Sequence, residues 1–309
     1  MQKGKLISVI KKLALISVIL VLPFILATCS TMLPEERLLV QPAAPETAYA
    51  KGALKVMNLN LAHGRKDGLN QLFLSKSTIS DNLADIVVVL NRIAPDVVAL
   101  QEADGPSLWS GSFDHVEQLA GEAGFPAYVR TSHASSWIFS YGTALLSKAR
   151  FANVLHHTFK PSPPTMNKGF TLAQIVWQAD ARSAETLAVD LVSVHLDFSR
   201  KTVREQQIAE MSRLLAGREN PVIIMGDFNS DWFADEKVVR ALAERLGLVV
   251  YRPQAENLGT YNSSGRRLDW ILISDELEFV DYRVLPDQLS DHLAILAIIS
   301  LKRLDPVTK

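Results

Sequence analysis

The nine residues 221–229, Pro-Val-Ile-Ile-Met-Gly-Asp-Phe-Asn, decide the fold class of this chain. An apolar run of this length between Pro221 and Gly226 is typical of a buried central strand. Asp227 and Asn229 follow at once, at the carboxyl end of the strand, where α/β sheets present the groups that bind ligands. Taken alone, the stretch also fits a Gly-Asp turn with a solvated asparagine, so the interpretation depends on how the other strands end.

Other apolar runs end in polar residues in the same way. The runs at 54–60, 96–100 and 187–196 are predicted strands, and polar side chains lie at or directly after the end of each. Each polar residue has an ordinary explanation by itself, such as a solvated carboxylate, a core histidine or a capped turn. Their joint occurrence beside buried strands favours one common site, formed by Asn60, Glu102, His195, Asp227, Asn229, Asp269, Asp291 and His292.

Amphipathic segments predict helices between these strands, at about 80–93, 114–123, 200–215 and 234–246. The short strands over 127–177 are typical of an antiparallel meander. Halves that are rich in strands and carry helices predict an α/β fold, with two mixed or antiparallel sheets packed face to face and flanked by helices. No linker divides residues 51–303, so we expect one domain there and a short tail over 304–309.

Residues 1–29 have the composition of an export signal. Four lysines precede an apolar stretch over 13–27, which is shorter than the roughly 20 residues that span a bilayer comfortably. The segment ends in Leu-Ala-Thr-Cys29, which resembles the box of bacterial lipoproteins, where the cysteine is lipidated. Lipidation, an uncleaved anchor and a cysteine that merely ends an apolar helix remain alternatives. We expect a membrane-anchored protein of the cell envelope, with a tether over 30–50.

Net charge and cysteine content bear on two questions, whether the protein binds nucleic acid and whether it has a disulfide. The lysines of the first 29 residues face no acidic residue there, so the remainder of the chain is net acidic. A sequence-independent nucleic-acid binder normally has a basic excess, which is missing here. The single cysteine excludes an internal disulfide.

The polar residues also occur in a familiar order. Asn60, Gln101-Glu102, His195-Leu196, Gly-Asp-Phe-Asn229, Leu-Asp269-Trp and Ser-Asp-His292 together resemble the endonuclease/exonuclease/phosphatase superfamily. That superfamily includes DNase I-like nucleases, abasic-site endonucleases, inositol polyphosphate phosphatases and neutral sphingomyelinases. The resemblance extends over about 51–303, and it implies a four-layer α/β sandwich that hydrolyses phosphate esters.

Hydrolysis of a phosphate ester needs an activated water, neutralised phosphate oxygens and a stabilised leaving group. His292 suits a general base because imidazole titrates close to neutral pH, and the resemblance implies Asp269 as its orienting partner. Asp227 would align the water and Asn229 would donate to a phosphate oxygen. His195 would donate to a non-bridging oxygen or to the leaving group.

The expected cofactor is Mg²⁺ or Mn²⁺. Glu102 supplies a hard oxygen ligand, and Asn60 is a neutral partner. Asp291 is either a further metal ligand or a structural partner. The lack of paired cysteines and closely spaced histidines argues against zinc.

These expectations describe a monomeric, metal-dependent phosphoesterase bound to the membrane through its N-terminal segment. Its substrate stays open among nucleic acid, a phospholipid headgroup and a small phosphodiester or phosphomonoester. A secreted or anchored nuclease and a sphingomyelinase-like phosphodiesterase are the specific alternatives. A non-catalytic binding lipoprotein is least favoured, because every polar position that the chemistry needs is filled.

Overall fold

The computed structural model describes residues 50–302 except 69, 72, 73, 181 and 236. The predicted export segment at 1–29, the tether up to residue 49 and the tail lie outside the described residues, so those predictions stay predictions. Within the described part, no helix is both long and apolar enough to cross a membrane.

Thirteen strands of the described residues form two mixed sheets. One sheet has six strands in the order β12-β13-β2-β3-β5-β4, and the other has seven in the order β1-β7-β8-β9-β11-β10, with β6 also paired to β7. The strands are β1 (Ala50–Lys51), β2 (Leu54–Asn60), β3 (Val97–Asp104), β4 (Ala127–Ser135), β5 (Ser140–Ser147), β6 (Phe151–Thr158), β7 (Gly169–Gln178), β8 (Leu187–His195), β9 (Val222–Asp227), β10 (Leu248–Val250), β11 (Asp269–Ser274), β12 (Leu277–Val284) and β13 (Ile295–Leu301).

Helices cover the outer face of each sheet. Helices α1 (Lys76–Ile93) and α2 (His115–Glu122) pack on the six-stranded sheet, whereas α3 (Lys201–Leu215) and α4 (Val238–Leu246) pack on the seven-stranded one. A third apolar cluster fills the space between the sheets. This arrangement confirms the α/β sandwich of four layers.

The central strands are apolar on both faces because each face is covered. In β2, Leu54 and Val56 belong to the cluster between the sheets, whereas Met57 and Leu59 face the helices. Burial of such a side chain contributes about 1.5–3 kcal/mol, so the continuous apolar runs stabilise both interfaces at once.

Among the differences from the sequence prediction are two helix starts and one additional strand. Helix α1 begins at Lys76 rather than near residue 80, because the Ser75 hydroxyl accepts a hydrogen bond from the Thr78 amide at 3.1 Å and caps an earlier turn. Helix α4 begins at Val238 rather than at residue 234. Strand β10 was not predicted, since three residues are too few to show a period.

Candidate active site

Strand ends from both sheets meet at one edge of the sandwich. The parallel pairs β2–β3 and β8–β9 align Asn60 with Gln101 and His195 with Asp227. Asp269 opens β11 directly opposite Asp227. The structure therefore brings the eight predicted residues together, and seven of them line one cleft of about 450 Å³: Asn60, Glu102, His195, Asp227, Asn229, Asp291 and His292.

Glu102 reaches the cleft because the pairing of β3 with β5 is interrupted. The register shifts between Gln101 and Ala103, which leaves Glu102 unpaired. Its φ of 48° lies in the left-handed region, where a residue with a side chain is strained. Bulges of this kind redirect a side chain, and here the carboxylate turns into the cleft.

His292 is held by the carboxylate behind it. Asp269 Oδ2 lies 2.8 Å from His292 Nδ1 and also accepts a hydrogen bond of 2.6 Å from the Thr260 hydroxyl. The other ring nitrogen, Nε2, lies 3.9 Å from Asp227 Oδ2. Burial lowers the pKa of His292, but the carboxylates of Asp269 and Asp227 outweigh burial and raise that pKa to about 10. The ring is therefore an imidazolium at neutral pH.

Asp227 lies at the centre of the cleft. Its Oδ2 accepts a hydrogen bond of 3.0 Å from the Asn60 carboxamide, and its Oδ1 accepts one of 2.8 Å from the Asn229 amide. Burial raises the pKa of Asp227, and the imidazolium of His292 opposes this rise. Since the charge of Asp269 adds to the effect of burial, the pKa reaches about 7. Asp227 therefore exchanges its proton near neutral pH.

Glu102 has the opposite electrostatic environment. Burial raises its pKa, but the neighbouring His63, Lys168 and His195 together lower it to about 2. The contacts are close: Glu102 Oε2 lies 3.2 Å from His63 Nε2, and Oε1 lies 3.9 Å from His195 Nε2. Glu102 is consequently a permanent anion.

His195 is buried beside a lysine. Lys168 Nζ lies 3.3 Å from each ring nitrogen of His195. Burial and this ammonium both lower the pKa of His195 well below its usual value. The ring is therefore neutral, which suits a hydrogen-bond donor to a substrate oxygen.

Sequence reasoning missed His63, Asp104 and Lys168. His63 lies in the 3₁₀ turn Ala62–Gly64 that follows β2, and its Nδ1 lies 2.8 Å from Asp104 Oδ1. The available signal was weak: His63 comes three residues after Asn60, and Asp104 comes two residues after Glu102.

Asp291 lies at the rim of the cleft. Asp291 Oδ2 accepts a hydrogen bond of 2.6 Å from Arg65 Nη2, so the two side chains form an ion pair. This ion pair fits the role of structural partner, and the role of metal ligand stays a prediction.

A family model supplies the deciding comparison. The model of the endonuclease/exonuclease/phosphatase family matches residues 57–292. The chain belongs to this family. A search of curated proteins gives no match.

Solved structures share the fold of this family member at low identity. An endonuclease/exonuclease/phosphatase from Beutenbergia cavernae is 19% identical, with a TM-score of 0.62 over 81% of this chain and 72% of that one. The human nocturnin catalytic domain with a bound sulfate anion is 16% identical, with a TM-score of 0.60 over 87% and 98%. A mannosyl-6-phosphatase from Bacteroides thetaiotaomicron is 15% identical, with a TM-score of 0.57 over 80% and 100%.

The cleft of this family member offers donors that suit a hard divalent cation. Glu102 is ionised, and its Oε1 accepts no hydrogen bond from any residue that the structure describes. Asp227 and Asn60 line the same cleft, and the Asn60 side-chain oxygen accepts a hydrogen bond of 2.9 Å from the Ala62 amide, which leaves it one lone pair for a cation. A second group, Asp227, Asp269 and His292, has ligand atoms within 4.8 Å of one another, but a metal there would replace the bond between His292 and Asp269. Glu102 and Asn60 fit a cation better.

A wider recess adjoins the cleft and shares Glu102 with it. The recess has a volume of about 990 Å³. Aromatic rings and polar side chains both contribute to its wall, including Trp109, Tyr141, Phe198, Tyr261, Gln71 and Asn262.

Proposed function

We propose that this chain is a phosphoesterase that uses Mg²⁺ or Mn²⁺. The observation that carries the proposal is the arrangement of Asp227 opposite the pair formed by His292 and Asp269 in one cleft. A carboxylate that titrates near neutral pH faces a fixed imidazolium there, and the neutral ring of His195 lies beside them. The carboxamide of Asn229 donates to Leu196 O at 3.0 Å and to Asp227 Oδ2 at 3.3 Å, so it helps to hold Asp227. This set provides a proton acceptor and donors for phosphate oxygens.

The electrostatics favour Asp227 rather than His292 as the proton acceptor. An imidazolium with a pKa of about 10 has no free site for a proton at neutral pH, whereas Asp227 with a pKa of about 7 has one. In this proposal Asp227 takes the proton of the attacking water. His292 stays charged and binds a phosphate oxygen, together with His195, while Asn229 holds Asp227. This proposal differs from the sequence analysis, which assigned the role of general base to His292.

The cation belongs beside Glu102. Glu102 and Asn60 would hold Mg²⁺ or Mn²⁺, which when bound neutralises charge on the phosphate oxygens. The strained backbone at Glu102 supports this role, because strain of this kind concentrates at functional sites.

The recess gives room for the organic part of the ester. Its aromatic and polar walls suit a headgroup or a small ring better than a long polyanion, and the net acidic chain disfavours a duplex as the preferred ligand. We therefore place small phosphoesters and phospholipid headgroups before nucleic acid. Similar folds with a TM-score above 0.5 include the mannosyl-6-phosphatase and the beta toxin of Staphylococcus aureus.

The test is hydrolysis of an aryl phosphodiester and an aryl phosphomonoester with Mg²⁺, with Mn²⁺ and with EDTA. We expect activity with either metal and none with EDTA. The matched control is His292→Ala, which we expect to be folded and inactive. Full activity in EDTA would exclude the metal, and inactivity on the aryl esters and on a panel of DNA, RNA, sphingomyelin, phosphoinositides and sugar phosphates would exclude the function.

We also propose anchoring of the protein in the cell envelope through residues 1–29, which is supported by their lysine-flanked apolar run and Cys29. Fractionation of cells that produce either the full chain or a chain starting at Thr31 tests this. We expect only the full chain in the membrane fraction. Cys29→Ser distinguishes lipidation, which needs the thiol, from an uncleaved anchor. Two soluble chains would contradict anchoring.

A further inference from the structure

His63 lies between two carboxylates. Its Nδ1 is 2.8 Å from Asp104 Oδ1, and its Nε2 is 3.2 Å from Glu102 Oε2. A neutral imidazole has one N–H, so both contacts can be favourable only when both nitrogens are protonated. His63 therefore bridges the two acids, with one ring nitrogen at each carboxylate.

One of the two acids is fixed and the other is not. Asp104 is fully buried, and its backbone pairs with Tyr141 of β5 beyond the bulge. Glu102 is the unpaired bulge residue, and its side chain has three rotatable bonds in front of an open cleft. Among the described residues, no hydrogen bond with good geometry ends on its carboxylate, so the contact with His63 is the closest restraint that it has.

We propose that His63, anchored by Asp104, is a positioning residue that holds the Glu102 carboxylate in the cleft. The inference deepens the proposed function and rests on it, since Glu102 matters for catalysis only if the cleft hydrolyses phosphate esters. His63 acts through Glu102 and not on the substrate. Carboxylates that serve a metal or a reaction are commonly held by a neighbouring side chain, and removal of that partner typically costs 10–100-fold in metal affinity or activity.

The local surroundings provide a variant that separates positioning from packing. The ring of His63 lies edge-on to Trp109 at 5.6 Å and to Tyr141 at 5.1 Å. His63→Phe keeps a ring for these contacts and removes both donors. His63→Gln keeps one donor. His157→Gln is the matched control, because His157 also pairs with an acid, Glu210 at 2.7 Å, but lines neither the cleft nor the recess.

The first measurement is kcat/KM for the aryl ester in two backgrounds. We expect His63→Phe to lower it at least about tenfold, His63→Gln to lower it less, and His157→Gln to leave it within about twofold of the wild type. In the Glu102→Gln background we expect His63→Phe to cost less than about twofold, because the residue has lost the partner through which it acts. An equal loss in both backgrounds, or no loss in either, would overturn the proposal.

The second measurement does not need activity. Urea unfolding of the wild type, the two single variants and the double variant reports whether His63 and Glu102 interact. We expect the two substitutions to shift the midpoint non-additively, and additive shifts would overturn the contact. An inactive wild type with non-additive midpoints would reject the proposed function but retain the contact, whereas an active wild type with additive effects would reject the positioning role alone.

Discussion

Two histidines, His292 in the cleft and His63 in the adjoining recess, are held in the same way, yet the carboxylates that they face differ strongly. His292 and His63 each have a buried aspartate 2.8 Å from Nδ1, Asp269 and Asp104 respectively. Beyond Nε2, His292 faces Asp227 and His63 faces Glu102. The pKa of Asp227 is raised to about 7, whereas that of Glu102 is lowered to about 2.

The surroundings of the two pairs explain the difference. Asp227 is fully buried and lies close to the charge of Asp269, so burial and repulsion oppose its ionisation. Glu102 faces the positive charges of His63 and Lys168, and these groups outweigh its burial. Two histidine–aspartate pairs of the same geometry can therefore lie beside different carboxylates, one that accepts a proton near neutral pH and one that stays ionised. The charges that surround the carboxylate facing Nε2 decide whether it accepts a proton or stays ionised.

Asp227→Asn should give the largest effect, because it removes the proton acceptor and keeps the shape of the side chain. We expect kcat/KM to fall by about a thousandfold. The measurement is steady-state hydrolysis of the aryl ester across pH 5 to 10, with urea unfolding as the control for folding. A variant that keeps a tenth of the wild-type rate would return the role of base to His292.

Asp269→Asn should give the next effect, because it removes a charge that holds the proton on His292. In the wild type we expect activity to rise with pH as Asp227 loses its proton near 7, and to fall as His292 loses its proton near 10. The variant should lose about a hundredfold in rate. Its alkaline limb should shift to lower pH, because the pKa of His292 falls when the raising carboxylate is gone. An unchanged alkaline limb would show that His292 is not the group responsible for it.

Glu102→Gln tests the carboxylate that faces His63. It keeps the size of the side chain and removes the permanent charge, so we expect a loss of more than about tenfold and partial recovery at high Mn²⁺. A titration with Mg²⁺ and Mn²⁺ provides the measurement. Normal rate and metal dependence in this variant would move the ligand assignment from Glu102 to Asp291.

Thr260→Val should give the smallest effect. The Thr260 hydroxyl donates to Asp269 at 2.6 Å and accepts from the amides of Leu268 and Asp269 at 3.1 Å. We expect the free energy of unfolding to fall by about 1–2 kcal/mol and the rate to fall less than about tenfold, since Asp269 stays in place. Thermal unfolding and initial rates measure the two. A loss of rate as large as that of Asp269→Asn would make Thr260 part of the catalytic pair.

The sequence predicted the sandwich because its central strands carry a strong signal. A strand covered on both faces, such as Leu54–Asn60 or Val222–Asp227, is apolar at successive positions and ends abruptly at a polar residue. Helix α1 was predicted four residues too short at its start, because its first turn is polar and shows no apolar period. The role of Ser75 as N-cap depends on its extended backbone conformation, which the sequence does not show.

The site was predictable where a residue ends a strand, and unpredictable where it depends on distant contacts. His195 and Asp227 end neighbouring strands, so their proximity follows from the order of one sheet, whereas Asn60 ends a strand of the facing sheet and reaches them because the two sheets pack together. His63 lies in a loop, and its partner Asp104 lies 41 residues away in sequence. The proton affinities were also out of reach, since the value for Asp227 depends on burial and on Asp269 in a neighbouring strand.

The position of the short strand β1 determines where the protein can be attached to a surface without covering the cleft. Ala50 and Lys51 pair with Trp177 and Gln178, at the end of β7 that lies opposite Gly169, the partner of His195. Ten residues of β7 separate the two ends, which is roughly 30 Å. Ala50, where the described part of the sandwich begins, therefore lies at the end of the sheet opposite the cleft. A protein immobilised on a sensor chip by a handle placed just before Ala50 would present the cleft to the bulk solution, which makes that end the natural choice for binding assays with vesicles or large esters.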